Sequence, residues 1–186
     1  MKSYLLPSLK LTAVLIILCT VIYPLLIAGV AKLAPGGGDG ITLSSNGKVV
    51  GYENIGQKFT QDKYFWGRPS AVDYNAAASG GSNKGPSNPE YLAGVKARID
   101  TFLVHNPTIK KEQIPADLVT MSGSGLDPDI SVQAAKIQVP RIAKVRNRSE
   151  KEIYQIIAQI KESPLLGFLG PEKVNVLKLN IALNQK

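Results

Sequence analysis

An uncharged apolar run near the N-terminus restricts this chain more than any other feature. Residues 11 to 31 read LTAVLIILCTVIYPLLIAGVA and are bracketed by Lys10 and Lys32. At about 1.5 Å per residue this run extends roughly 32 Å as a helix, which matches the roughly 30 Å hydrocarbon core of a bilayer. A cleaved signal peptide would have a shorter apolar core, about 7 to 15 residues, that ends in a small-residue cleavage site. The run therefore predicts an uncleaved membrane anchor.

Positive charge around this run predicts its orientation. Two lysines and the free amine precede it, whereas the uncharged stretch LAPGGG follows Lys32. Because positively charged flanks favour the cytoplasmic side, we expect the N-terminus inside and the remainder of the chain outside. The predicted segments are a cytoplasmic tail at 1–10, a single transmembrane helix at 11–31, a flexible linker at 32–40 and an extracytoplasmic domain at 41–186.

Four residues within the run predict contacts with other membrane helices. Thr20 and Tyr23 place hydroxyl groups near the middle of the bilayer, where polar groups need partners. Pro24 removes one backbone hydrogen bond, and Ala28 offers a small surface for close packing. A simple tether, with the Tyr23 hydroxyl bonded locally, is the alternative. We expect the helix to pack against partner helices.

The pattern of residues 41–186 predicts a small α/β domain with a mixed or antiparallel sheet. Asn46-Gly47, between two runs of β-forming residues, predicts a hairpin. The predicted helices start near 89, 131 and 150, and the further predicted strands are 119–122 and 174–183. The expected helix-capping residues are Ser87 paired with Glu90, Asp129 or Ser131, and Ser149 paired with Glu152. Pro140 is expected to kink or split the second helix.

The sequence supplies no recognisable catalytic or metal-binding set, so we predict neither kind of site. The single histidine, His105, falls at a predicted helix end, and the single cysteine, Cys19, lies in the apolar run. Ser124 lacks the glycine spacing of a nucleophile elbow. Asp127 and Asp129 lack the further oxygen ligands of a calcium loop, and we expect them to form turns and helix caps.

The net charge of +8 does not indicate nucleic acid as a partner. The basic residues are scattered, and no aromatic-interleaved basic motif is present. One dense group lies within residues 141–151. Arg141, Lys144 and Arg148 would share a face if the helix continued through them. A solvated face is the simpler interpretation, and contact with lipid head groups or a partner is the alternative.

Residues 74 to 89, YNAAASGGSNKGPSNP, predict an ordered loop that docks on a partner. Gly80 and Gly85 have the spacing of a phosphate-binding loop, but Pro86-Ser87 follows where that loop requires Lys-Ser or Lys-Thr. A flexible linker is not expected between two core segments of one domain. Ser and Asn side chains can instead stabilise turns by hydrogen-bonding to nearby backbone. The predicted docking residues are Tyr74, Asn75, Ser79, Gly80, Gly81, Ser82, Asn83, Ser87 and Asn88.

Several motifs together resemble the C-subunit family of the Kdp potassium-transporting ATPases. They are YFWGRPSA (64–71), the loop at 74–89, the stretch from IPADLV to AKVR (114–146) and VNVLKLNIALN (174–184), in the family's order after one membrane helix. The resemblance implies a non-catalytic accessory subunit of a high-affinity potassium pump in the bacterial plasma membrane, which is the inner membrane in Gram-negative species. The implied partners are a channel-like potassium-selecting subunit, a P-type ATPase catalytic subunit, a small single-helix subunit and membrane lipid.

The resemblance also implies a role as a catalytic chaperone that raises the ATP affinity of the catalytic subunit, with ATP as a ligand. No nucleotide motif supports direct contact, and an outside domain cannot reach cytoplasmic ATP. Coupling through membrane helices is the expected route. Because positive charge would repel potassium, we expect the loop at 74–89, with Asp73 beside it, to face the pore mouth and the basic group to point elsewhere. The alternatives are a free-standing membrane-anchored binding protein of the cell envelope and a hydrolase that uses Ser124.

Overall fold

The computed structural model describes residues 2–185. They separate into two compact units that divide between Thr42 and Leu43. The helices are α1 (Lys2–Ile17), α2 (Tyr23–Ala31), α3 (Pro89–His105), α4 (Val132–Lys136), α5 (Val139–Arg146), α6 (Glu150–Ile160) and α7 (Val176–Gln185). The strands are β1 (Thr42–Ser45), β2 (Lys48–Tyr52), β3 (Asp129–Ser131) and β4 (Lys173–Asn175). The fold class predicted from the sequence is confirmed: one apolar N-terminal helix precedes a small α/β domain with antiparallel strand pairs.

The first unit is an apolar helix with a π turn at its centre. The turn, Leu18–Ile22, joins α1 to α2, and the Tyr23 amide donates to the Leu18 carbonyl five residues back. Pro24 explains the irregularity, because it lacks an N–H and its ring crowds the preceding turn. The stretch Tyr4–Ala31 is, among the residues described, the one helix long and apolar enough to cross a membrane.

The segment predicted as a flexible linker forms a tight turn at its centre. A 3₁₀ turn spans Pro35–Gly38, and Gly36 and Gly37 have φ angles of 78° and 63°. These left-handed values suit glycine, which has no Cβ to clash. Lys32 Nζ lies 3.5 Å from Asp39 Oδ2, an exposed pair that contributes little to stability.

The second unit begins with the predicted hairpin. β1 and β2 form a two-stranded sheet joined by Asn46 and Gly47. Both residues have positive φ angles, 51° and 74°, which is the backbone geometry of a type I′ turn. The prediction is confirmed, because Asn and Gly are the residues that adopt this conformation at least cost.

Helix α3 starts at the predicted place but has a different cap. The Asn88 side chain, not Ser87, accepts the hydrogen bond from the Tyr91 amide. The prediction of a Ser87–Glu90 capping box was therefore wrong. Proline restricts the residue before it to extended backbone, so Asn88 already has the N-cap conformation when Pro89 begins the helix.

The two later helix starts follow the predicted pattern. Ser131 caps α4 by accepting from the Ala134 amide at 3.1 Å. Ser149 caps α6 by accepting from the Glu152 amide at 3.3 Å. The predicted split at Pro140 is confirmed, because α4 ends at Lys136 and α5 places Pro140 in its first turn.

Of the two further predicted strands, the first is absent from the described structure and the second is largely replaced by a helix. Residues 119–122 follow a 3₁₀ turn instead, and both the amide and the hydroxyl of Thr120 donate to the Ala116 carbonyl. Most of 174–183 is helical, and only Lys173–Asn175 is a strand. The buried residues Val176, Leu179 and Leu183 recur at helical spacing, and Asn175 accepts from the Lys178 amide at 3.0 Å. In this short stretch the apolar residues fit both the two-residue period of a strand and the spacing of a helix, so the pattern does not distinguish the two.

The core lies between the second sheet and the C-terminal helices. β3 pairs antiparallel with β4, which places Ile130 opposite Val174. Both side chains are buried, as are the inward residues of α5, α6 and α7. The largest fully buried apolar side chains are Phe65, Ile142, Ile153, Ile156, Ile157, Leu179 and Leu183. The loops at 63–88 and 119–128 lie beside this core and are bound to it and to each other by hydrogen bonds. They carry the candidate site.

Candidate functional site

The predicted docking loop is ordered because a second loop pairs with it. The Gly80 amide donates to the Ser124 carbonyl at 2.8 Å, and the Ser79 hydroxyl donates to the same oxygen at 2.9 Å. The Ser122 amide donates to the Pro69 carbonyl at 3.0 Å. The stretch SGSG at 122–125 therefore holds the predicted docking loop in place through hydrogen bonds to its backbone carbonyl groups.

Ser70 and Tyr74 fix the start of the loop. The Ser70 hydroxyl donates to the Gly125 carbonyl at 2.7 Å and accepts from the Tyr74 amide at 2.9 Å. The Tyr74 hydroxyl donates to the Arg68 carbonyl. Burial, reinforced by the negative charge of Asp127, raises the pKa of Tyr74 to about 12. The phenol therefore remains a neutral donor at physiological pH.

The outward part of the loop presents small and amide side chains. Asn75 holds one turn by accepting from the Ala77 amide at 3.0 Å, and Asn83 has a positive φ of 54°. Lys84 Nζ lies 2.5 Å from Glu90 Oε2, near the start of α3. The predicted docking residues that are exposed are Asn75, Ser79, Asn83 and Ser87, whereas Tyr74, Gly80, Gly81, Ser82 and Asn88 are half-buried. Their role in docking stays a prediction.

Gly125 is a position at which this paired-loop structure tolerates no side chain. Its φ is +69°, and an added Cβ would lie 2.6 Å from Val72 Cγ2 and 2.7 Å from the Gly80 carbonyl oxygen. Gly125→Ala is expected to lower the free energy of unfolding by about 2 to 4 kcal/mol, from backbone strain plus overpacking. Urea unfolding of the detergent-solubilised chain, followed by Trp66 fluorescence, measures this change.

Gly123 provides the matched control for that variant. An added Cβ there meets nothing within 4 Å, and its φ is not in the left-handed region. We expect Gly123→Ala to change stability by less than about 0.5 kcal/mol. Equal destabilisation by both substitutions would contradict the account of the loop pairing.

The residues predicted for membrane-helix packing lie around the π turn. The Thr20 hydroxyl donates to the Ile16 carbonyl of its own helix at 2.7 Å. Tyr23 is 61% exposed in this unit, and Ala28 is also exposed. Pro24 opens α2. The Thr20 hydroxyl therefore already has a hydrogen-bond partner in its own helix. Among these four residues, the Tyr23 hydroxyl is the polar group that would gain most from a partner helix.

The remaining chemistry-bearing residues are used in the structure of the domain. The Ser124 hydroxyl accepts from the Leu126 amide at 3.1 Å. Asp127 accepts from the Asp129 amide at 3.0 Å, and Asp129 Oδ2 lies 2.6 Å from Lys173 Nζ. His105 Nδ1 lies 2.7 Å from an Asp62 carboxylate oxygen. Within residues 2–185, no three His, Cys, Asp or Glu side chains cluster as metal ligands would.

The predicted basic face of Arg141, Lys144 and Arg148 was wrong for two of its members. Arg141 is only 6% exposed and points into the domain. Arg148 lies beyond the end of α5, which stops before the left-handed residue Asn147. Lys144 is exposed. Helical spacing alone cannot distinguish a solvated arginine from one whose guanidinium is satisfied by buried carbonyl groups.

An exposed apolar tip was missed by the sequence reasoning. It comprises Leu165, Leu166, Phe168 and Leu169, which are 69%, 75%, 75% and 49% exposed. The amides and carbonyls of Leu165 and Leu169 pair with each other, and Leu166 has a strained φ of 55°. The run PLLGFLG was a usable signal, because four large apolar residues in so short a Gly- and Pro-bounded segment cannot form a buried stripe.

Comparison with known proteins gives one consistent result. The family model described as K+-transporting ATPase, c chain, matches residues 5–185. A protein of Flavobacterium johnsoniae is 61% identical over 178 residues, which cover 95% of each chain. One from Bacteroides fragilis is 52% identical over 184 residues, covering 97% of this chain and 96% of its own. One from Caldanaerobacter subterraneus subsp. tengcongensis is 46% identical over 177 residues, covering 95% and 92%. Each of these relatives is named the KdpC subunit of a potassium-transporting ATPase.

Proposed function

Because this chain belongs to the family of the K+-transporting ATPase c chain, we propose that it is a non-catalytic accessory subunit of a high-affinity, ATP-driven potassium-uptake pump. The observation that carries this proposal is the family match over residues 5–185, which includes both the apolar helix and the folded domain. ATP hydrolysis then belongs to a different subunit, a P-type ATPase. The further partners are a channel-like potassium-selecting subunit and a small single-helix subunit.

The apolar helix supplies the membrane part of this role. The chain crosses the bacterial plasma membrane once, with its N-terminus in the cytoplasm and the domain outside. Flanking lysines support this orientation, as does the uncharged stretch after Lys32. Tyr23 packs its hydroxyl against a partner helix, because an unpaired hydroxyl in hydrocarbon is costly.

Two surfaces of the domain dock on the potassium-selecting subunit. The first is the docking loop at 74–89, whose backbone is fixed before binding, so little entropy is lost on association. The second is the apolar tip at 165–169, which covers an apolar area on the same subunit. Exposed leucine and phenylalanine side chains on a strained turn are typical of interaction sites.

The charge near the docking loop is compatible with a position at the pore mouth. Asp73 Oδ1 lies 2.6 Å from Lys58 Nζ, so the lysine beside the loop is neutralised. Arg141 is buried and presents no charge to the surface. The one charged side chain of the loop, Lys84, is paired with Glu90, so the loop carries little net positive charge to repel potassium.

The chaperone role requires coupling across the membrane. A domain outside the cell cannot contact cytoplasmic ATP, so its effect on ATP affinity runs through helix contacts. A coupling free energy of about 1 to 3 kcal/mol would change that affinity about 5- to 150-fold. The π turn at Leu18–Ile22 is an irregular helical element of the kind found at functional positions.

Growth at limiting potassium tests the proposed function. In a strain whose other potassium uptake systems are deleted, loss of this chain is expected to prevent growth at micromolar potassium, and the full-length chain restores it. Growth at high potassium serves as the control, since uptake without the pump then suffices. Normal growth of the deletion strain at micromolar potassium would contradict the proposal and favour a free-standing binding protein.

A further inference from the structure

A cleft beside α3 is lined by cationic and aromatic side chains. Its volume is about 340 Å³. The basic lining residues are Lys58, Arg68 and Arg98, and the rings that line it include Phe59, Trp66 and Phe102. Among the described residues, none that lines the cleft is acidic. Lys58 is paired with Asp73 and Arg68 with Asp127, so Arg98 is the named basic residue of the cleft that has no acidic partner among the described residues. The cleft therefore places the charge of Arg98 beside an apolar wall.

In each of the two arginines of the cleft, one guanidinium nitrogen binds an acceptor within the domain. Another nitrogen of the same side chain has no hydrogen-bond partner within the described chain. Arg98 Nε donates to the Val119 carbonyl at 2.7 Å, and Arg68 Nη1 lies 2.9 Å from an Asp127 carboxylate oxygen. Arg98 Nη2 and Arg68 Nε are the buried side-chain polar atoms that find no hydrogen-bond partner within the described chain. Both atoms have almost no exposed surface and are out of reach of a ligand in the cleft, whereas the terminal nitrogens Arg98 Nη1 and Arg68 Nη2 are not among these closed-off atoms.

We propose that the cleft binds a carboxylate attached to an apolar or aromatic body. A carboxylate accepts hydrogen bonds from guanidinium N–H groups in a planar geometry, and the guanidinium groups of Arg98 and Arg68 line the cleft. Trp66 and Phe102, 6.4 Å apart between ring centroids, supply the wall against which an apolar body packs. Anchoring of each arginine by Val119 or Asp127 pre-organises the donors before the ligand arrives.

Such a carboxylate has two sources. One is a free organic acid, and the other is an acidic side chain or C-terminus of a partner subunit. The chemistry of the cleft is the same for both, and only the assembled complex distinguishes them.

Trp66 permits a direct binding measurement because it is the single tryptophan of the chain. The detergent-solubilised full-length protein is titrated with sodium benzoate at constant ionic strength. We expect a saturable change in Trp66 fluorescence. Benzamide, which has the ring without the charge, should give no saturable change, and acetate, which has the charge without the ring, should bind more weakly. A non-saturating response to benzoate would overturn the proposal.

Arg98→Gln is expected to weaken benzoate binding about tenfold or more, because a charged hydrogen-bond donor is lost. Arg98→Lys should also weaken it, since lysine keeps the charge but not the planar fork. The matched control is Lys96→Gln, which removes the same charge from an exposed position on α3. Thermal unfolding of each variant verifies that it is folded. Equal weakening by Arg98→Gln and Lys96→Gln would overturn the proposal.

Equilibrium dialysis with radiolabelled benzoate distinguishes a free organic acid from a partner carboxylate as the natural occupant of the cleft. Of the binding experiments, only this one depends on the proposed function. Binding to both the isolated chain and the assembled pump indicates a free acid as the natural occupant. Binding to the isolated chain but not to the pump indicates that a partner carboxylate fills the cleft. Absence of binding to both preparations would contradict the proposal without affecting the pump-subunit assignment.

Discussion

Replacing Arg141 with methionine is expected to lower the free energy of unfolding of the domain by about 3 to 5 kcal/mol. The Arg141 guanidinium donates to the carbonyls of Asp62 and Tyr64, at 2.5 and 3.1 Å, and to Asn106 Oδ1 at 3.1 Å. It also donates to Gln138 Oε1 at 2.7 Å. Methionine fills part of the volume but leaves these acceptors without their donor, and unsatisfied buried acceptors are costly.

The expected loss of stability is large because Arg141, on α5, holds the extended segment around Tyr64 against that helix through hydrogen bonds. It joins α5 to the chain around Tyr64 and stacks 4.5 Å from the Trp66 ring centroid. Burial lowers the pKa of Arg141 to about 10, although the carboxylate of Asp62 acts in the opposite direction. The guanidinium therefore stays charged at neutral pH and keeps all of its donors.

Urea unfolding of the full-length chain in detergent, followed by Trp66 fluorescence, measures this loss. The matched control is Lys144→Met, an exposed position on the same helix, for which we expect a change below about 0.5 kcal/mol. Arg141→Lys should remain strongly destabilised because an ammonium group cannot reach all four acceptors. A loss below about 1 kcal/mol for Arg141→Met would refute the role assigned to this residue.

The double substitution Leu166→Asp with Phe168→Asp is expected to reduce recovery of the partner subunits at least about tenfold, the scale of losing an interface anchor. Both side chains are 75% exposed, so aspartate at these positions leaves the fold intact. In an apolar interface each carboxylate would be desolvated without a partner. The measurement is quantitative mass spectrometry of what co-purifies with the tagged chain from detergent-solubilised membranes.

Val104→Asp is the control for that experiment. Val104 is 77% exposed on α3 and belongs to neither docking surface. Its substitution should leave both partner recovery and the urea midpoint unchanged. Undiminished recovery with the Leu166 and Phe168 variant would show that the apolar tip is not a docking surface.

Features that depend on neighbouring residues in the chain could be predicted from the sequence. The Asn46-Gly47 hairpin, the Ser149 cap and the break at Pro140 are all dictated by local backbone preferences. The apolar run was recognisable by length and composition alone. These features place segment 74–89 between the hairpin and α3, as the structure has it, and its docking role stays a prediction.

Features that depend on distant contacts could not be predicted in this way. Phe65 exchanges two backbone hydrogen bonds with the side chain of Asn180, at 2.8 and 3.0 Å, where a strand partner would be expected. The side chain of Gln138 bonds the backbone of Trp66 in the same manner, at 2.8 and 3.2 Å. Helix side chains thus bind the backbone of this extended segment, and the buried Arg141 donates to the carbonyls of Asp62 and Tyr64 in the same segment. No local pattern indicates a pairing across 115 residues.

Affinity purification of the wild-type chain from membranes of cells grown at limiting potassium tests whether this chain is a pump subunit. We expect a P-type ATPase and a channel-like potassium-selecting subunit to co-purify with the tagged chain in fixed ratio. We also expect the small single-helix subunit to accompany them. Recovery of the chain alone, while those subunits are present in the same membranes, would contradict its assignment as a pump subunit.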